Sequence, residues 1–370
     1  MKKKDFAIFG GEKWQWITIP VLAILLSLLA ISVIILLIGK NPLTAFSSLL
    51  QGSGFLPKPS YSSYKSMGTD FFETLDALTP MIFASLAVAV AFQAGLFNIG
   101  VSGQMLAAGF VSSILIGYSA LPAGLARPCM LLAGLCIGAL VGALIGLLKY
   151  RFNINEVVSA IMINYILQYI ISFFINTSYV DPVSRQSRNI SQTARLTLQN
   201  VQLGAVKMRI PLMILPAILV ALVLYVFTAK TKYGYELKAV GQNRFGAQYA
   251  GISVGANIVF AMTLSGALAG LAGVTYYAGY YQSIQPGTLS SLGFDSIAVS
   301  LLGNSHPIGI LFSSLLITAI SKGSTYMSST VGVRQEIASL ITGMILLFSA
   351  CGGYLRYRLA LKRNGKGGNA

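Results

Sequence analysis

Residues 17–38 read ITIPVLAILLSLLAISVIILLI, without one charged side chain. A helix rises about 1.5 Å per residue, so a run of this length reaches across a hydrocarbon core of roughly 30 Å. The run is too long for the apolar region of a signal peptide, about 7–15 residues, and lacks a small-residue cleavage site, so it is expected to stay in the protein. A second uncharged run covers residues 211–229. The whole chain follows suit: 55% hydrophobic residues, a mean hydropathy of +0.72, and 10% charged residues. Soluble domains carry about 25% charged residues, and an all-helical soluble protein would need that charge on its outside. The pattern therefore predicts an all-α polytopic membrane protein.

Working outward from residue 17, the net charge of +16 lies in short pieces between the greasy runs. Lys2, Lys3, Lys4 and Lys13 precede the first run; Arg356, Arg358, Lys362, Arg363 and Lys366 follow the last; Lys149 and Arg151 mark an internal turn. This is the positive-inside pattern of a chain whose neighbour is membrane lipid, not nucleic acid. It places both termini, 1–16 and 351–370, on the cytoplasmic side of a transmembrane region at 17–350. Cys129, Cys136 and Cys351 show no metal spacing, and Cys129 and Cys136 read as small apolar packing residues.

Further spans are expected at 75–93, 101–118, 128–148, 157–174, 211–228 and 254–272, with shorter apolar pieces at 289–302, 308–320 and 337–349. Residues 39–74 and the basic stretch 176–210 read as external loops, and 229–253 as a cytoplasmic one. The total is about ten transmembrane helices, or eight if the short pieces form a hairpin that does not cross. Short helices interrupted by Gly303, Pro307 and Gly309 are a transporter feature, because irregular backbone survives in lipid only where protein or a cavity covers it. Gly134, Gly138, Gly142 and Gly146, spaced by four, form a stripe that lets another helix approach closely. Residues 155–160 and 294–299 are faintly alike, as in an inverted repeat.

Polar groups inside spans are costly and mark candidate sites. Asn164 and Gln168 share one helix face; Asn155 and Glu156 open the same span; Asn98 and Gln104 flank the break at 95–100; Asp295 begins a short helix beyond a tyrosine cluster at 276–281. Two readings stand: the amides hold helices together, or they line a path for a polar, uncharged solute. No acid is expected in the middle of a span, so the driving energy should come from elsewhere. The only histidine is His306, no H-E-x-x-H is present, and no G-x-x-x-x-G-K-[ST] loop can hold ATP. The chain reads as a transporter and not an enzyme.

Four stretches taken together are similar to one family. They are YGYELKAVGQNRFGAQYAGI (233–252), GLFNIGVSGQMLAAG (95–109), NEVVSAIMINY (155–165) and GFDSIAVSLLG (293–303). Taken in their order along the chain, they resemble the ABC importer permeases of the ribose, nucleoside and branched-chain amino-acid type. The form NEVVSAIM and the long first loop look most like the larger permease subunit of bacterial nucleoside importers. The resemblance implies a second permease subunit, a cytoplasmic ATPase that binds ATP and Mg, an external substrate-binding lipoprotein, a plasma-membrane location and nucleosides as solute. It makes 229–253 the ATPase-coupling loop, with Glu236, Gly241, Asn243, Arg244, Phe245, Tyr249 and Gly251 as its marked positions. The chain has Glu236-Leu237-Lys238 where better-known importers have Glu-Ala-Ala. Simple sugars, branched-chain amino acids and an ATP-independent carrier stay open as alternatives.

Overall fold

A computed structural model describes residues 12–204 and 206–367; the expected N-terminal segment thus lies outside the described residues up to residue 11, as do positions 368–370 of the tail. Among the described residues, thirteen α-helices form the bundle. Helix α1 (Glu12–Leu37) contains the opening apolar run, and α2 (Pro42–Gly52) follows in the first loop. Asn41 caps α2 by accepting the Leu43 amide at 2.9 Å, and Pro42 sits at the first helical position, where its missing N–H costs nothing.

Helix α3 (Met67–Gln93) starts well before the expected residue 75. The Ser66 amide donates to Thr69 Oγ1 at 3.1 Å, which closes the first turn. The polar turns that hid this helix from a hydropathy reading carry Asp70, Glu73 and Asp76, three apart on one face. Each is paired: Asp70 with Lys58 at 2.8 Å, Glu73 with Lys322 at 3.5 Å, and Asp76 with Arg209 at 3.2 Å. Beyond Leu78 the helix is buried nearly all round, so α3 is the axis of the bundle.

After the break at 94–100 come α4 (Val101–Ser112), α5 (Ala123–Phe152) and α6 (Glu156–Phe174). The basic loop then forms a hairpin, β1 (Thr197–Leu203) with β2 (Val206–Pro211). The fold stays all-α as expected, with this hairpin as its one two-stranded sheet among the described residues. Thr197, Val201, Val206 and Ile210 favour extended backbone, and Gly204, at φ +65°, supplies the left-handed residue of the turn. Helices α7 (Ile214–Lys230), α8 (Lys232–Gln242), α9 (Arg244–Tyr249), α10 (Val254–Thr275), α11 (Leu292–Leu302), α12 (Pro307–Val331) and α13 (Ile337–Gly367) complete the chain. A single π turn extends α4, α6 and α10.

Among the described residues, six helices are long and apolar enough to cross a membrane; α7 with α8 makes a seventh, and three shorter apolar helices accompany them. The expected short piece at 308–320 is a full span instead. Its polar continuation, SKGSTYMSSTV (321–331), stays helical because Gly323, Ser324 and Met327 pack inside and Lys322 finds Glu73.

Helices α5 and α10 meet backbone to backbone. A Cβ on Gly138 would lie 2.7 Å from the Gly270 Cα, and one on Gly266 2.8 Å from the Gly142 Cα. No side chain larger than hydrogen fits that seam. Cys129 and Cys136 are exposed, not packed as expected, since Cys136, two from Gly134 and Gly138, and Cys129, five before Gly134, both turn away from the seam.

The bundle has two distinct ends. At one, Gln93 meets α8, the Tyr150 ring fills the space that Gly255 leaves free, and Gln93 Nε2 donates to Ser305 O at 3.0 Å. The turn at 149–151, the end of α8 and the start of α10 therefore share this end. At the other end the hairpin sits on the first turns of α3 and the π turn of α10.

Candidate functional site

The stretch 231–252 is a corner followed by two short helices. Helix α8 bends 73° away from α7. Thr231 caps it by accepting the Gly234 amide at 3.1 Å, and Gly234 has room for no Cβ, which would lie 2.6 Å from the Thr228 Cα. Lys238 Nζ donates to the Thr228 carbonyl at 2.7 Å and holds the corner closed. Asn243 ends α8 and caps α9, accepting the Gly246 amide at 3.0 Å. Gly251, at φ +78°, lies just past the end of α9.

Leu237, Val240 and Ala247 form the inner side of this pair and pack with Ala91, Ala94, Leu96, Ile258 and Met262. Gly241 lies directly on the α3–α4 break: its Cβ would collide with the Gln93 carbonyl and lie 2.9 Å from the Gly95 amide. Arg244 donates to the Gly95 carbonyl at 3.4 Å. Glu236 meets Asn257 of α10 at 3.3 Å and Lys232 at 3.6 Å. Outward point Tyr233, Tyr235, Phe245 and Tyr249, the last two 80% and 97% exposed. Phe245 and Tyr249 stand four apart on α9, so one face of six residues offers two bare rings. Exposed aromatics beside a charged group are the composition of a docking surface.

Of the polar residues marked as a solute path, the structure gathers three into one knot. Asn98 Nδ2 donates to Ser265 Oγ at 2.8 Å and to Gln104 Oε1 at 3.0 Å, while its Oδ1 accepts the Gly100 amide at 2.9 Å. Asn164 accepts the Gly103 amide and donates to the Ile99 carbonyl, both at 3.0 Å. Ser265 donates in turn to the Ala87 carbonyl at 2.6 Å. All these side chains are buried. They satisfy the loose backbone of the break and tie α3, α4, α6 and α10 together at one point.

The other marked residues lie apart. Gln168 donates to the Gly287 carbonyl at 2.6 Å; Asn155 caps α6 through the Val157 amide at 2.9 Å; Glu156 pairs with Lys149 at 2.9 Å; Asp295 sits half-buried in the first turn of α11. Glu156 and Asp295 thus both open helices, but one opens a span of 24 residues with its π turn and the other a helix of 11. A cavity of about 880 Å³, lined mainly by Val21, Ile24, Leu302, Phe312 and Leu316, lies between α1 and the α11–α12 turn, away from the knot.

An acid does lie inside a spanning helix, near its hairpin end and not at its middle. Asp76 of α3 is 2% exposed. Its Oδ1 accepts Thr197 Oγ1 of β1 at 2.7 Å, and its Oδ2 lies 3.2 Å from Arg209 of β2. Arg209 also donates to the Tyr280 carbonyl at 2.9 Å, and Lys322 of α12 donates to the Tyr280 hydroxyl at 3.1 Å. The spacing of acids at 70, 73 and 76, with a lone Lys322 inside an apolar helix, is the sequence signal that marks this cluster.

A helical bundle with six or seven membrane spans is the architecture of a multi-pass membrane protein. Residues 71–350 match the family described as branched-chain amino acid transport system, permease component, and the chain belongs to that family. It is 33% identical over 348 residues, 92% of each chain, to the nucleoside ABC transporter permease protein NupB of Lactococcus lactis subsp. cremoris. To the guanosine ABC transporter permease protein NupP of Bacillus subtilis it is 33% identical over 357 residues, 96% of this chain and 99% of that one. A second Lactococcus lactis relative, the nucleoside ABC transporter permease protein NupC, is 27% identical over 71% of this chain and 84% of its own.

Proposed function

We propose that this chain is the membrane-spanning subunit of an ATP-driven importer that carries nucleosides across the bacterial plasma membrane, with both termini in the cytoplasm. The relatives over nearly the full length supply the solute class. The observation that carries the mechanism is the two-sided α8–α9 pair. Its outer face bears Phe245 and Tyr249 for a cytoplasmic ATPase, and its inner face seats Gly241 and Arg244 on the α3–α4 break. ATP and Mg are bound and hydrolysed on that partner. This chain contributes a lever: motion of α8 and α9 reaches the break, and the Asn98–Gln104–Asn164 knot passes it to α6 and α10. A second permease subunit completes the channel, and a substrate-binding lipoprotein delivers solute at the hairpin end.

Uptake of radiolabelled guanosine and uridine by cells expressing the complete importer tests this reading. Unlabelled nucleosides should compete, and ribose or glucose should not. Competition by sugars alone, or uptake by the isolated chain in liposomes without ATP, would refute it.

A further inference from the structure

The hairpin is fastened to the bundle differently from the way α5 meets α10. The α5–α10 seam is bare backbone contact that no water can enter, whereas the hairpin is held by polar groups that water can replace. Thr197 of β1 and Arg209 of β2 both close on one carboxylate, Asp76, so a single side chain of α3 holds the two strands. Further fastenings are also polar: Arg209 to the Tyr280 carbonyl, and the Lys207 amide to the Tyr64 carbonyl at 3.0 Å. Beneath lies a cleft lined by Asp76, Thr79, Thr197, Thr275 and Gly279, with about 150 Å³ of space between atoms and no room for a water.

The latch is also incomplete. Asp76 Oδ2 and Arg209 Nε are both buried without a well-aligned hydrogen bond, although the two charges lie close. A buried ion pair holds well only when its remaining donors and acceptors are satisfied, so this one is readily exchanged for water once the strands part. Asp76 also lies on α3, the same helix whose other end carries Gln93 against Gly241. One continuous helix therefore joins the ATPase-facing pair to the latch.

We propose that the β1–β2 hairpin is the outer gate of the solute path and that Asp76 is the residue that positions it shut. This rests on the importer reading above. Displacement of α3 withdraws the carboxylate from Thr197 and Arg209, water enters the cleft, and the hairpin swings from the π turn of α10.

The geometry supplies a direct test. A Cβ on Gly279 would lie 3.2 Å from Thr197 Oγ1, a separation suited to a disulfide between Thr197→Cys and Gly279→Cys. The pair is built in a chain with Cys129, Cys136 and Cys351 changed to serine, assembled with its ATPase, partner permease and binding protein in proteoliposomes. Oxidation should cut uptake to about a tenth or less of the reduced rate, and reductant should restore it. Fully cross-linked transporter that still works at the reduced rate overturns the proposal.

A second readout needs no solute. Thr197→Cys alone, 3% exposed at this position, should react with a membrane-impermeant maleimide about fivefold faster when Mg-ATP and binding protein are added. Asp76→Asn should raise the resting rate in the same way. Unchanged labelling in both cases overturns the gate even if nucleosides are transported, and a gate that opens without nucleoside uptake would instead count against the solute.

Discussion

Replacing Gly241 by alanine adds one methyl group at the contact that the lever mechanism depends on. That carbon would press on the Gln93 carbonyl and lie 2.9 Å from the Gly95 amide and 3.0 Å from the Ala94 carbonyl carbon. Relaxed contacts of this kind sit at about 3.5–4.0 Å, so α8 must retreat by about 1 Å. Overpacking of this sort costs about 1–3 kcal/mol. The helix itself should survive, because alanine favours helix and the Thr231 cap and the Lys238 bond are untouched. The strain then appears as separation of α8 from the break. If that contact must be held for each power stroke, uptake should fall about 5- to 150-fold, since 1.4 kcal/mol is about tenfold. The Phe245–Tyr249 face is not altered, so the ATPase should still copurify at normal yield. The assay is nucleoside uptake per ATP hydrolysed in proteoliposomes holding the purified complex. Uptake and coupling ratio both within about twofold of wild type would refute the lever, because the collision would then have been absorbed without mechanical consequence.

Phe245→Ala with Tyr249→Ala should do the reverse, weakening ATPase retention on a tagged permease by about 30-fold, as expected for a docking hot spot worth about 2 kcal/mol; full retention would place the docking face elsewhere. Gly270→Leu should push α10 off α5, because even its Cβ would collide with the Gly134 carbonyl; the check is loss of monodisperse protein in detergent, against normal behaviour for Gly124→Leu, where a Cβ meets nothing within 4 Å. Asn98→Leu strips partners from Ser265, Gln104 and the Gly100 amide and should lower the melting temperature, at about 1–3 kcal/mol for each buried group left unpaired; an unchanged melting temperature would show that the knot does not hold the break. His306 is held below its ordinary value of 6.5, first by burial and then by the nearby Lys238 charge. The folded turn at 303–306 therefore favours the neutral ring, so its stability is full above pH 6.5 and falls as the pH drops below it, where the unfolded chain takes the proton first. Hydrogen-exchange protection at these amides, taken relative to the intrinsic rate at each pH, should fall as the pH drops below about 6.5, and His306→Gln should flatten that dependence.

The membrane class needed no structure. A bilayer imposes a length and a polarity on every crossing helix, so runs such as 17–38 and 211–229 declare themselves one segment at a time. The glycine stripe at 134–146 was legible for the same reason, since spacing by four is a property of a single helix. The corner at 231–252 was legible as a polar interruption, although its division at Asn243 depends on a side-chain cap that spacing alone does not reveal.

What tertiary structure decided was every feature that depends on pairing between distant segments. The starts of α3 and the end of α12 looked like loop, because Asp70, Glu73, Asp76 and Lys322 are costly in lipid until Lys58, Arg209 and one another's helices neutralise them. Three of the marked amides, Asn98, Gln104 and Asn164, gather in a knot because Ser265, 167 positions from Asn98, comes within hydrogen-bond reach. Cost in a membrane belongs to the unpaired group, and a sequence shows the group without its partner.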